Sequence, residues 1–239
     1  RSLFAAADLT DEAAVRAALE QARARFGAID ACFSFAGVVG PMRLLDRQGR
    51  AGACASFAST VGINLVGTFN LIALCAEYMA RNAPDPDGER GVIVTISSGA
   101  AFDGQVGQSA YSASKAGLVG MSEVLRFDLA RHRIGVSVVV PGAVKTPLVN
   151  TVEISGVNRQ DPQVERWIAR FSGHAVSPER AAAAILAGVA KNRFLIYTSP
   201  DIRALYAFKR VAWWPYSVAM RQVNVLFTRA LRPQPQLDR

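Results

Sequence analysis

Short unbroken apolar runs alternate along this chain with longer stretches in which apolar residues return every three or four positions. The first pattern is that of parallel strands covered on both faces, and the second is that of helices packed on them. The runs predict strands at 3–8 (LFAAAD), 29–37 (IDACFSFAG), 92–97 (VIVTIS), 135–140 (GVSVVV) and 194–198 (FLIYT). The periodic stretches predict a helix over 10–27, capped by Thr10 and stopped by Gly27, and long helices over 57–81 and 110–131. A further helix is opened by Ser177-Pro178-Glu179, with a cap followed by a proline at the first helical position. Residues 199–227 read as two amphipathic helices broken at Pro215, before a Pro-rich end.

Strand alternating with helix predicts an α/β fold, a doubly wound, Rossmann-like parallel sheet, with residues 1–198 as one domain and 199–239 as a basic, aromatic helical tail. At 239 residues and 51% hydrophobic, the chain suits one such domain. It has no run of 18 uncharged apolar residues and no signal-peptide pattern, so a soluble, cytoplasmic protein is expected. Cys32, Cys54 and Cys75 are odd in number without C-x-x-C spacing, and are expected as free buried thiols. His132 and His174 lack metal-like spacing, so no metal site is expected.

The net charge of +8 is uneven: residues 199–239 hold seven Lys or Arg against two Asp or Glu. No nucleic-acid motif accompanies this excess, so nucleic-acid binding is not expected. Trp213, Trp214, Tyr216 and Phe227 among those bases suit a cover for a substrate cleft or subunit interface; contact with an anionic membrane surface is the alternative.

The candidate chemistry lies in QSAYSASKAG, residues 108–117. Helical spacing puts Tyr111 and Lys115 on one face, where an ammonium beside a phenol favours the phenolate and lowers its pKa from the usual value near 10. A phenol poised in this way exchanges protons with an alcohol or carbonyl. The spacing alone equally describes a solvated surface pair. Ser98, thirteen residues before Tyr111, follows one strand, Pro141-Gly142 with Thr146 follows the next, and Asn64 lies in the long helix. All fall near the sheet edge where doubly wound folds bind ligands.

This set of Asn64, Ser98, Tyr111-x-x-x-Lys115 and Pro141-Gly142-x-x-x-Thr146 resembles the short-chain dehydrogenase/reductase family over residues 6–198. Between Gly67 and Met121 the sequence looks like the 3-hydroxyacyl-CoA and 17β-hydroxysteroid dehydrogenase branch. The resemblance implies an oxidoreductase that uses NAD or NADP on a lipophilic alcohol or ketone. Tyr111 would be its acid/base, and Lys115 would lower the Tyr111 pKa and hold the nicotinamide ribose. Ser98 would bond the substrate oxygen, and Asn64 would anchor a water relay behind Lys115. Asp8 would meet the adenine, Ala36 and Gly37 would allow close approach to the cofactor, and Val144 and Thr146, beyond Pro141 and Gly142, would meet the nicotinamide amide. The two long helices resemble those through which the family forms homodimers and homotetramers.

Several features depart from the pattern or stay open. Ser34-Phe35-Ala36-Gly37 stands where the family usually carries Asn-Asn-Ala-Gly, so Phe35 loses a hydrogen bond. The family's glycine-rich turn and its first βαβα portion are expected upstream, placing the start of this chain about 50 residues into the domain and leaving strand 29–37 at an apolar edge. The residue that separates NAD from NADP belongs to that upstream portion. Asp8 is equally a helix-entry residue, Ser98 a helix cap and Asn64 a packing or bend residue. Arg43, Arg47 and Arg50 fit a solvated loop or an acyl-CoA phosphate, and Trp167 and Phe171 fit a lipophilic substrate or packing against the tail. A catalytically silent binding protein on the same fold is the competing reading.

Overall fold

The computed structural model describes residues 2–40, 44–45, 49–52, 54–104, 106–146, 173 and 175–230, with the side chains of 226–230 excepted. Arg43, Arg47, Trp167, Phe171 and His174 lie outside the described residues, as does the Phe227 side chain. Strands β1 (Ala31–Ser34), β2 (Gly91–Ile96), β3 (Ile134–Val140) and β4 (Leu195–Tyr197) form one sheet in that order, every pair parallel. Ile93, Val94, Val138, Val139 and Val140 are fully buried, which is why these strands read as continuous apolar runs.

Helices cover both faces. On one, α3 (Thr68–Met79) places Ile72, Cys75 and Met79 against Cys32, Ile93 and Ile134, joined by Met121 and Leu125 of α4 (Ser109–Asp128). On the other, α5 (Pro178–Val189) places Ile185 against Val94, Val139 and Ile196. Each fully buried aliphatic side chain contributes about 1.5–3 kcal/mol. The doubly wound reading therefore holds.

The segment 3–8 corrects the sequence reading. It forms no strand, and Phe4 is 90% exposed. Extended backbone becomes a strand only through a ladder partner, and none of the described residues supplies one. Helix α1 (Glu12–Phe26) is capped one residue later than expected: Asp11 accepts from the N–H groups of Ala13 and Ala14 at 2.9 and 3.2 Å. Gly27 ends it at φ 92°, as the pattern required.

The long helix begins at α2 (Cys54–Val61) and reaches α3 through a π-helical segment, Gly62–Gly67, that contains Asn64. Cys54–Met79 has the length and hydropathy of a membrane span, but its apolar side chains at Ile72, Leu74, Cys75 and Met79 are core. Cys32 and Cys75 are buried as expected, whereas Cys54 is exposed at the helix start.

The tail forms α6 (Pro200–Val211) and α7 (Trp213–Ala230). The break falls at Ala212, whose φ and ψ of −128° and 59° are not helical. Pro215 instead occupies the first turn of α7, where a missing N–H costs nothing.

Candidate active site

The site is assembled beyond the carboxyl ends of β2 and β3. Past β2 the chain stays tied to β3, with Ser97 N–H donating to Val139 O at 2.8 Å and Gly99 N–H to Pro141 O at 2.9 Å. Ser98 is extended and caps the 3₁₀ turn Gly99–Ala101, accepting from Ala100 N–H at 3.2 Å. Ser98 is thus both a cap and a hydroxyl at the strand end. Helix α4 returns across this edge with Ala110, Ser114, Leu118 and Ser122 on its buried stripe, which places Tyr111 near Ser98 and the Lys115 ammonium at the end of β2. The Ser98 hydroxyl lies near enough to the Tyr111 phenol to lower its pKa.

Lys115 is buried at 5% exposure, its Nζ donating to Ile96 O at 2.8 Å and lying 5.7 Å from the centre of the Tyr111 ring. Ser97 Oγ donates to Lys115 O at 2.7 Å, fixing the helix to the strand end. Asn64 is fully buried. Its Oδ1 accepts from Val38 N–H at 2.7 Å, and its Nδ2 donates to Val38 O at 2.9 Å and to Ser114 Oγ at 3.0 Å. The π-helical turn lets this one amide span the loop after β1 and helix α4.

The electrostatics depart from expectation. Burial raises the Tyr111 pKa, and the Ser98 hydroxyl opposes this in part; Lys115 is not among the causes. Burial pushes Lys115 itself down to about 8, so it is still mostly protonated at neutral pH. Desolvation thus outweighs the attraction of an ammonium already bonded to a backbone carbonyl. Tyr111 is a neutral phenol at neutral pH, ready to donate a proton rather than to receive one.

The residues expected to meet a cofactor are only partly gathered. A Cβ at Gly37 would stand 3.2 Å from Asn64 Oδ1 and 3.3 Å from Lys115 Nζ, so the backbone there borders the Lys115 ammonium as closely as glycine allows. Ala36 precedes it, and the Phe35 ring is exposed. Pro141 is tied to Gly99, and a Cβ on Gly142 would meet Ser199 Oγ at 2.7 Å. Val144 bridges to Val176, and Thr146 N–H donates to Val144 O at 2.8 Å, which holds both residues just beyond the β3 edge. Asp8 accepts from the N–H and hydroxyl of Thr10, both at 2.8 Å, and these bonds hold its carboxyl below the usual range. It lies beside α3, where Asn70 Nδ2 donates to the neighbouring Leu9 O at 3.0 Å, and no described bond joins it to the Tyr111 group.

The sequence pattern of the short chain dehydrogenases matches residues 1–155. The chain belongs to the short chain dehydrogenase family. It is 45% identical over 150 residues to the 3-hydroxyacyl-CoA dehydrogenase type-2 of Bos taurus, an alignment covering 62% of this chain and 58% of that protein. The Homo sapiens protein of the same name is 42% identical over 151 residues, covering 63% and 58%. The chain thus spans less than two thirds of the length of these relatives. The crystal structure of a 3-hydroxyacyl-CoA dehydrogenase type-2 from Mycobacterium avium superposes with a TM-score of 0.63 at 30% identity, covering 76% of this chain and 68% of that one. A Burkholderia phymatum short chain dehydrogenase/reductase, solved in complex with NAD, superposes at 0.69 with 22% identity over 85% and 73% of the two chains, and shows the shared fold.

Helices α6 and α7 lie beyond the stretch matched by the family pattern, yet they touch the site. The loop between Ser98 and Tyr111 is held by the tail: Asn224 accepts from Val106 N–H at 3.0 Å and donates to Gly104 O at 2.9 Å. Phe102 packs against Tyr206 with ring centres 4.1 Å apart and planes tilted by 34°, and its carbonyl accepts from Lys209 Nζ. Ser114, Asn224 and Tyr206 were not picked out from sequence. The repeat Ala110, Ser114, Leu118, Ser122 contains a signal for the first, whereas contacts across more than a hundred residues leave none for the others. A separate cavity of about 570 Å³, lined by Glu89, Arg126, Arg133 and Asn192, lies at the amino ends of β2 and β3, remote from these residues.

Proposed function

We propose that this chain carries the catalytic centre of a nicotinamide-dependent oxidoreductase that interconverts a ketone and a secondary alcohol on a lipophilic substrate of the hydroxyacyl or steroid class. The observation that carries this reading is the half-buried Tyr111 and Ser98 hydroxyls, with the buried Lys115 beside the Tyr111 ring, at the carboxyl edge of the sheet. The names of the relatives support the hydroxyacyl class. The Gly37 backbone against Asn64 and Lys115 fits the ribose and nicotinamide end of NAD or NADP. Lys115, Gly37, Val144 and Thr146 would hold it, and the cofactor would supply or accept the hydride.

In reduction, Ser98 and Tyr111 both hydrogen-bond the carbonyl oxygen, and preorganised donors of this kind stabilise the charge that grows there. Tyr111 passes its proton to that oxygen, and the Lys115 ammonium lies close enough to stabilise the phenolate left behind. In oxidation Tyr111 must begin as phenolate. Because its pKa is raised, that direction speeds up as pH rises.

The test is oxidation or reduction of nicotinamide by the full-length protein. Tyr111→Phe is expected to lower kcat by about 10²- to 10⁴-fold while leaving cofactor affinity unchanged. Wild-type turnover in that variant would contradict the reading. Phe35 favours a second reading, a silent binding protein, because its exposed ring replaces a side chain that hydrogen-bonds in the family. Absence of turnover in wild type, with cofactor still bound, would favour it.

A homo-oligomer is also proposed, formed through the outward faces of the two long helices, where Val66, Phe69, Val124 and Phe127 are exposed. Cys32 and Cys75, neighbouring buried thiols without a disulfide, support a reducing, cytoplasmic location.

A further inference from the structure

The tail turns one face to the domain, and those contacts decide which face it turns outward. In α6 the inward positions are Ile202, Leu205, Tyr206 and Lys209; in α7 they are Tyr216, Met220 and Asn224, at helical spacing. An ordinary surface helix would be polar on its opposite side. Here the opposite side of α6 carries Ala204, Ala207, Phe208 and Val211, and that of α7 carries Trp214, Val218 and Val225 with one uncharged polar residue, Gln222, among them. Val211 is 89% exposed and Trp214 76% exposed, and the two flank the corner at Ala212. The apolar strip is edged by Arg203, Arg210 and Arg221, all exposed. Residues 200–230 contain five Lys or Arg and a single acidic residue, Asp201.

We infer that the outward face of α6 and α7 docks on an anionic lipid surface, with Trp214 and Val211 entering the headgroup boundary and the arginines meeting lipid phosphates and carboxylates. Apolar stripes edged by bases, with tryptophan at the boundary, are the chemistry that such surfaces bind. A second copy of this chain is the poorer occupant, because a two-fold pairing would bring the same positive strip against itself. The inner face remains engaged with the 102–106 loop, so docking leaves the site in place and brings it close to the lipid.

The test is sedimentation of the full-length protein with phosphatidylcholine vesicles, with and without about 30% phosphatidylserine. Pelleting is expected only with phosphatidylserine and is expected to weaken as salt is raised, since the screening length shortens. Val211→Asp with Trp214→Asp is expected to weaken binding at least about tenfold. Both side chains are exposed, so the melting temperature should hold, and circular dichroism checks the fold. Arg203→Gln with Arg210→Gln is expected to remove the preference for phosphatidylserine. Failure to pellet on either vesicle would overturn the inference, as would binding unaltered by the aspartate pair. A fall in oligomer mass in that pair, without vesicle binding, would also overturn it and assign the face to a second subunit.

Discussion

The segment from Ser98 to Tyr111 is held from two sides by contacts of different kinds. Behind it, Asn64, Ser114, Ser97 and Lys115 form a knot of buried polar bonds that joins the loop after β1, the long helix and α4. In front, the tail holds residues 102–106 through Asn224, Tyr206 and Lys209, which are half-buried, and Tyr216, which is buried; the Asn224 bond to Gly104 O is open to solvent. A buried polar group deprived of its partner bears the full desolvation cost, whereas one near solvent can turn to water. The rear therefore fixes the geometry of Tyr111 and Lys115, and the front adjusts it.

Asn64→Leu should break the rear most severely. It leaves Val38 N–H, Val38 O and Ser114 Oγ without their partner. Destabilisation of about 2–4 kcal/mol is expected in urea unfolding, against less than about 1 kcal/mol for a surface change such as Arg25→Gln.

Lys115 gives the next effect. Its pKa is lowered from 10.5 to about 8, so between those values the unfolded chain binds more protons and stability rises with pH. Below pH 8 both states are protonated and the penalty is constant. Wild type is expected to gain about 2 kcal/mol between about pH 7.5 and 9.5, a gain absent from Lys115→Met. Tyr111, Tyr197 and Tyr216, all raised above their usual value, act in the opposite sense only at higher pH.

The smallest effect belongs to the front. Asn224→Ala is expected to cost about 1 kcal/mol and to speed amide hydrogen exchange at 102–107, leaving exchange in β2 and β3 unaltered. Equal protection of that loop in wild type and variant would remove the tail from the account.

The sheet was legible because strands buried on both faces write themselves as apolar runs, VIVTIS and GVSVVV above all. The LFAAAD run failed because apolarity reports a wish for burial and not the presence of a neighbour. The pairing of Tyr111 with Lys115 was legible from helical spacing, since a helix converts four residues of separation into one face. The direction of their pKa shifts was not, because it depends on desolvation, which only the folded chain supplies. The π-helical turn at Asn64 was hidden for a similar reason: the need to reach Val38 and Ser114 sets it, and both partners are distant in sequence. Pro215 misled by its reputation as a breaker, whereas the first turn of a helix accepts it.

Fluorescence titration of the full-length protein with NADH and with NADPH, repeated on Gly37→Val, tests the central claim most directly. The account predicts saturable binding of at least one of them, weakened about tenfold or more in the variant, whose side chain would stand against Asn64 and Lys115. Binding of neither, or equal binding by Gly37→Val, would contradict it.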